Sequence, residues 1–340
     1  MSLEIFVLDT KSWWNQSFEN TELNNLKYSL TTVLEASHAK STNDKYSKAW
    51  QKWIEWTSTK PEIQAIPAKP LDVALYLNHL RLTRSTKGSV ISAFYGIRWA
   101  HIMAGLNSPT EDPFLQSVLE GCSRLTATPK EKMEPLEPEV IRKLVDKYRE
   151  DHTIPNLRFL VLATIGFTGF MRVEEILELK LGDVRIKPDR LEIIVEKSKN
   201  DQHHEGNKIP IARLNSKYCP VNIFEEFLQK AELDISKDKQ CYLIPRIFKC
   251  KKGHRVSKTL GFGYSRAREI FLKFVTPFKE EGVRYGLHGL RSGGASAAAN
   301  NGVSDRLISK HGRWKSEKAR DGYIKDSMAT RMSISKSLGL

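Results

Sequence analysis

The stretch TATPKEKMEPLEPE, residues 126–139, constrains what this chain can fold into more than any other segment. It holds three prolines and many charges with almost no apolar side chain, so it has little to contribute to a core. It reads as a linker. A chain of 340 residues parted there gives two domains of ordinary size, residues 1–125 and 140–340.

Ahead of the linker the pattern is helical. Tyr46, Trp50, Trp53, Ile54 and Thr57 recur at helical spacing, and Pro70–Leu82 sets Leu71, Ala74, Leu75 and Leu77 on overlapping faces. Residues 85–104 carry Val90, Phe94, Ile97 and His101 as a stripe, and Phe114, Val118 and Cys122 follow Pro113. A small helical bundle is expected. Trp50, Trp53, Phe94 and Trp99 offer faces on which bases can stack, but tryptophan at helical spacing in a small bundle is more often core. Lys40, Lys45, Arg81, Arg84 and Lys87 stand at or near helix ends, where a cation and free backbone N–H groups together meet phosphate. They are candidate DNA contacts, with a solvated surface as the equal alternative.

Behind the linker the pattern is mixed. Residues 157–166 and 174–180 read as helices separated by a turn at Thr168-Gly169. Residues 184–187, 191–197 and 208–213 read as strands, the first two joined at Pro188-Asp189, and helical patterns resume over 221–233, 262–274 and 290–300. The expected fold class is mostly α with a small antiparallel β-sheet: an N-terminal helical bundle followed by an α+β domain.

Lysine and arginine number 54 against 40 acidic residues, a net charge of +14 that suits a polyanionic partner such as nucleic acid. The longest apolar stretch, Phe159 to Phe170, is interrupted by Thr164, Gly166, Thr168 and Gly169 and is too short to span a bilayer. Glu4 and Asp9 flank only a short apolar run, unlike a secretory signal. Cys122, Cys219, Cys241 and Cys250 show no CxxC spacing, and Cys241, Cys250 and His254 match no zinc pattern. An intracellular protein with reduced thiols and no metal is expected.

The most specific signal is an ordered set of residues. Arg172 lies in GFTGFMRVEEILELKLGDV with Glu175 three positions on; a lysine-bearing hairpin follows in VEKSKNDQHHEGNKIPI. His288 and Arg291 come next, three apart, then Trp314, then Tyr323 nine residues after the tryptophan. This order resembles the tyrosine recombinase, or phage integrase, family over about the last two hundred residues. Tryptophan at position 314 is similar to Cre recombinase. The wording GFTGFMR and LRSGGASAAANNGVSD…HGRW is similar to recombinases of eukaryotic mobile elements of the Crypton and DIRS type.

The resemblance implies a core-binding domain followed by a catalytic domain and a metal-free, cofactor-free strand-transfer enzyme. Tyr323 would attack a DNA phosphodiester and form a 3′-phosphotyrosine, with strand exchange through a Holliday junction. Arg172 and Arg291 would donate paired hydrogen bonds to the non-bridging oxygens, whose charge grows in the transition state. His288 would assist proton movement at the tyrosine. Trp314 would donate its indole N–H, with His311 as the alternative at that position. The general acid would be a hairpin lysine, Lys199 ahead of Lys197, the former in a Ser-Lys context similar to that of the lambda integrase. Glu175 would orient Arg172, or be an ordinary exposed glutamate. His203 and His204 read as loop residues. Partners would be a double-stranded recombination site and further copies of the chain, two per site and four in the synapse, with the segment ending ATRMSISKSLGL either packed on a neighbour or disordered. A eukaryotic source would place the protein in the nucleus.

The rival class is a DNA-binding regulator. ASAAANNGVSDRLISKHG has the small residues and central turn of a helix-turn-helix, and a recombinase retained only for DNA binding is a related possibility. Neither reading has a use for Arg172, the hairpin lysine or Tyr323. A type IB topoisomerase would share the chemistry, but a compact helical domain ahead of the catalytic one is closer to a recombinase.

Overall fold

The computed structural model describes residues 17–128, 133–195, 207–251 and 253–339. The chain divides into two compact units, Met1–Lys130 and Glu131–Leu340.

The first unit contains helices α1 (Thr21–Ala36), α2 (Lys40–Ser58), α3 (Pro70–Leu82), α4 (Lys87–Met103) and α5 (Pro113–Leu125). Local chemistry fixes where they start. The Asn20 side chain accepts from the N–H groups of Glu22 and Leu23, Thr86 from Ser89, and Asp112 from Phe114, while Pro70 and Pro113 open their helices. The tryptophans are core: Trp50, Trp53, Phe94 and Trp99 are all buried, and the Trp53 indole donates to the Ala65 carbonyl at 2.9 Å. Helix α3 departs from the expected stripe. Val73, Ala74, Tyr76 and Leu77 face the core, whereas Leu71 and Leu75 are exposed, because they share an i, i+4 row on the opposite side. Helix α1, which the sequence pattern does not single out, buries no residue.

The second unit contains α6 (Pro138–Arg149), α7 (Ile154–Thr168), α8 (Val173–Glu178), β1 (Val184–Ile186), β2 (Arg190–Val195), β3 (Asn207–Ala212), α9 (Pro220–Lys230), β4 (Ile247–Cys250), β5 (Gly253–Val256), α10 (Tyr264–Val275), α11 (His288–Asn300), α12 (Asp305–Gly312), α13 (Glu317–Asp321) and α14 (Met328–Lys336). Helix α7 is buried on every face from Leu157 to Gly166, as a central helix is, with α6, α9 and α11 packed against it. Strands β1, β2 and β3 form an antiparallel sheet in that order, pairing Val184 with Ile193 and Leu191 with Ile211. Alternation along β2 sends Leu191, Ile193 and Val195 inward. The β4–β5 hairpin was not apparent in the sequence; its strands bury little beyond Val256, so no apolar alternation marks them.

The segment read as a linker over 126–139 is in part structural. Glu134 pairs with Tyr285, Leu136 is fully buried and its N–H donates to the Gly289 carbonyl at 3.0 Å, and Pro138 is the first residue of α6. The proline that suggested a loop instead opens a helix, whose first turn needs no N–H donor. Cys241 is buried with its thiol near the Ser257 carbonyl, and burial pushes it up to about 11. No helix among the described residues is long and apolar enough to cross a membrane.

Candidate active site

The site lies where the turn after α7 meets α11 and the segment following α12. Phe170 turns the chain with a positive φ of 45°, and Arg172 caps α8. The Glu175 carboxylate folds back on that cap, accepting the Arg172 N–H at 3.0 Å and its guanidinium at 2.7 Å. Oε2, which takes the Arg172 N–H while Oε1 takes its guanidinium, also accepts from the Arg313 guanidinium at 2.6 Å. Glu175 is therefore not an exposed glutamate: its side chain is 6% accessible.

Helix α11 begins with His288 and carries Arg291 one turn later, where its side chain is fully enclosed. The Arg291 guanidinium donates to the carbonyls of Phe170 and of Gly312, the latter at 2.5 Å. Gly294 permits this approach, since a β-carbon there would collide with the Phe167 carbonyl and the Phe170 ring. Helix α12 ends at Gly312, over which the Trp314 indole folds so closely that a β-carbon would overlap it. Trp314 then lies 5.1 Å from the Tyr323 ring and 6.3 Å from Phe170, centroid to centroid.

Tyr323 is half-buried. Its N–H donates to the Arg320 carbonyl at 2.8 Å, and on the following turn the Ser296 hydroxyl donates to the Tyr323 carbonyl at 3.4 Å and accepts the Lys325 N–H at 2.9 Å. The phenol ring faces His288 at 4.8 Å, with the Arg291 guanidinium 5.0 Å away.

Burial, with Arg172 and Arg313 nearby, pulls Arg291 down to about 10, which leaves it charged at neutral pH. Burial and the Arg291 and Arg172 charges pull His288 below the usual imidazole range, which favours a neutral ring. His311 is also lowered by burial. Its Nε2 bonds the Thr168 carbonyl at 2.8 Å and its ring stands edge-on to Phe170 at 4.7 Å. Of the two alternatives at this position, Trp314 is the one against Tyr323.

Among the described residues, four buried side-chain polar atoms have no hydrogen-bond partner, and three of them are here: Arg291 Nε, Arg313 Nε and Trp314 Nε1. All three are donors. Orphaned donors cost free energy unless something anionic or polar satisfies them, so the arrangement suits an anion. No cluster of three or more His, Cys, Asp or Glu suited to a metal occurs among the described residues.

The structure thus brings together Arg172, Glu175, His288, Arg291, Trp314 and Tyr323, and adds Arg313 and Ser296, which sequence reasoning missed. Lys197, Lys199, His203 and His204 lie outside the described residues, between β2 and β3. At the foot of β3, Lys208 lines a groove of about 430 Å³ with Phe170 and His311, which puts the start of β3 beside the site. The helix-turn-helix pattern is real as geometry: α11 and α12 flank a turn with Gly302 at φ +77°. Yet α12 buries Ile308 with Phe170, Ala295 and Trp314, and so serves this centre.

In the first unit, Lys45 joins Lys48 and Lys52 along one face of α2, and these line a groove of about 400 Å³ with Thr86, Gly88 and Ser89 at the start of α4. Lys40, Arg84 and Lys87 are exposed outside that groove, and Arg81 is held by Asn78 at 2.9 Å.

No family model matches the chain. An integrase/recombinase XerD homolog from Selenomonas ruminantium is 26% identical over 329 residues, covering 94% of this chain and 92% of the relative. A lambda integrase dimer bound to a COC′ core site superposes with a TM-score of 0.57 at 14% identity, covering 92% of this chain and 83% of that one. The XerH site-specific recombinase in a post-cleavage complex with palindromic difH gives 0.55 at 14% identity, covering 85% and 76%. The fold is that of these integrases.

Proposed function

We propose that this chain is a tyrosine recombinase, an enzyme that cuts and rejoins DNA at a specific site, with Tyr323 as its nucleophile. The observation that carries the reading is the placing of the Arg291 guanidinium and the Trp314 indole, each with a buried unsatisfied N–H donor, against one half-buried tyrosine. The relative and the superposed structures, each an integrase or recombinase, support it.

In this reading the Tyr323 oxygen attacks phosphorus and passes its proton to the neutral imidazole of His288. The bond to the 5′-oxygen breaks, and the leaving oxygen takes a proton from Lys199, or failing that Lys197, to become a 5′-hydroxyl. The DNA is left joined to Tyr323 through a 3′-phosphate, and the reverse sequence reseals it. Arg172, Arg291 and Trp314 donate to the non-bridging oxygens as they gain charge. The reaction as written calls on no metal or cofactor.

The basic α2 face and the start of α4 fit the phosphate backbone, where Lys45, Lys48 and Lys52 supply charge and the helix N-terminus supplies N–H groups. Helix α14 buries nothing and exposes Met328, Met332 and Ile334, which suits a contact with a second copy in a dimer on one site and a tetramer at a Holliday junction. A mobile element of the Crypton or DIRS type is the source that the motif wording favours, and a nuclear location goes with it.

The test uses a pool of nicked suicide duplexes with a randomised core. The wild-type chain is expected to form an adduct that survives denaturing electrophoresis, while Tyr323→Phe binds the recovered duplexes without linking. Specific binding by the wild-type chain with no adduct would instead establish the regulator reading.

A further inference from the structure

Three guanidinium groups and one carboxylate meet in the centre: Arg172, Arg291, Arg313 and Glu175. Arg313 is the costly member. It ends α12 with φ +59° and ψ +39°, the left-handed conformation that glycine adopts freely and a residue with a β-carbon does not. Its side chain is only 4% accessible, so a charge is also taken out of water. Neither cost is needed to end a helix. The position gains one strong contact, to Glu175 Oε2 at 2.6 Å; its other side-chain contacts, to Met171 Sδ at 3.8 Å and the His311 carbonyl at 3.5 Å, are weak.

We propose that Arg313 is a positioning residue for strand cleavage, holding one oxygen of Glu175 so that Arg172 keeps charge and free N–H groups for the scissile phosphate. The inference rests on the recombinase reading. A lone arginine beside a carboxylate forms a two-pronged pair that spends two N–H groups and cancels its charge. Arg313 prevents this by adding its guanidinium to Oε2, which already accepts the Arg172 backbone N–H, while the Arg172 guanidinium reaches only Oε1. Three cations against one anion leave two positive charges facing a phosphodiester that gains a second negative charge during attack. Without Arg313 a single positive charge remains. Arg313 also sits between Gly312, whose carbonyl holds Arg291, and Trp314, so the same salt bridge ties that segment to α8.

Arg313→Gly tests this because glycine accepts the backbone conformation and removes the side chain, guanidinium included. On duplexes recovered by the wild-type chain, the variant is expected to bind within about threefold of wild type and to form adduct on the order of a hundredfold more slowly. Millimolar guanidinium chloride should restore part of that rate, where matched sodium chloride does not. Adduct formation by the glycine variant at the wild-type rate overturns the proposal. Arg313→Gln is read in the same way if the glycine variant fails to bind, and loss of folding in both assigns Arg313 a purely structural role, against the proposal. Absence of adduct from the wild-type chain would sink the recombinase reading itself, a result distinct from any of these.

Discussion

Arg291 and Tyr323 meet across the candidate active site, the guanidinium carbon 5.0 Å from the centre of the phenol ring, with the arginine side chain fully enclosed. The proposed nucleophile and the cation proposed for its target are thereby fixed to each other. Arg291 is in turn fixed by the carbonyls of Phe170 and Gly312, which come from different parts of the chain.

Arg291→Lys keeps the charge and loses the planar fork, and one ammonium group does not reproduce the guanidinium's hold on both carbonyls. The adduct rate is expected to fall by about 10²- to 10³-fold with little change in duplex affinity. Single-turnover kinetics beside a binding titration separate the two effects, and an unchanged rate would remove Arg291 from the chemistry.

Trp314→Phe keeps an aromatic ring between Phe170 and Tyr323 and deletes the unsatisfied Nε1–H. A slowing of roughly tenfold is expected, about one hydrogen bond in the transition state, at nearly unchanged melting temperature. Trp314→Ala should cost about 3–5 kcal/mol of stability as well. A phenylalanine variant as fast as wild type would leave the indole a packing role alone.

His101 gives the first unit a pH dependence with a definite sign. Its Nε2 accepts the Ala68 N–H at 2.9 Å while Nδ1 donates to the Ile97 carbonyl at 2.8 Å, an arrangement that needs a neutral ring, and burial lowers its pKa. The unfolded chain therefore binds the proton first as pH falls. The stabilisation is complete above about pH 6.5 and is lost on acidification through the lowered value. Urea midpoints followed by tryptophan fluorescence, with Trp50 edge-on to His101 at 6.2 Å, should fall between about pH 7.5 and 5.5 more steeply than in His101→Asn. Equal slopes would contradict the assignment.

Lys199→Ala should cut the adduct rate by about 10²- to 10⁴-fold on ordinary DNA and much less on a duplex whose scissile 5′-oxygen is replaced by sulfur, a leaving group that needs no acid. The same rescue in Lys197→Ala but not in Lys199→Ala would transfer the role to Lys197.

What the sequence made legible follows from the range of each interaction. Pro70 and Pro113 mark helix starts by local backbone chemistry, and the alternation of Leu191, Ile193 and Val195 marks β2, because one face of that strand is buried. The grouping of Arg172, His288, Arg291, Trp314 and Tyr323 was legible only as an ordered motif. Arg313 was not legible at all: its partner Glu175 is 138 residues away, and neither residue's neighbours announce the pair. Helix α6 was obscured by the prolines and charges before it, although Val140, Ile141, Leu144 and Val145 form its buried stripe.

The central claim is that one residue becomes joined to DNA. Trypsin cleaves after Arg320 and Lys325, so Tyr323 falls in the short peptide DGYIK, residues 321–325. Mass spectrometry of the denatured adduct, after trypsin and nuclease digestion, should find that peptide with a nucleotide esterified to Tyr323 through its 3′-phosphate. A nucleotide on any other residue, or no linked peptide from a chain that binds the duplex, would contradict the account.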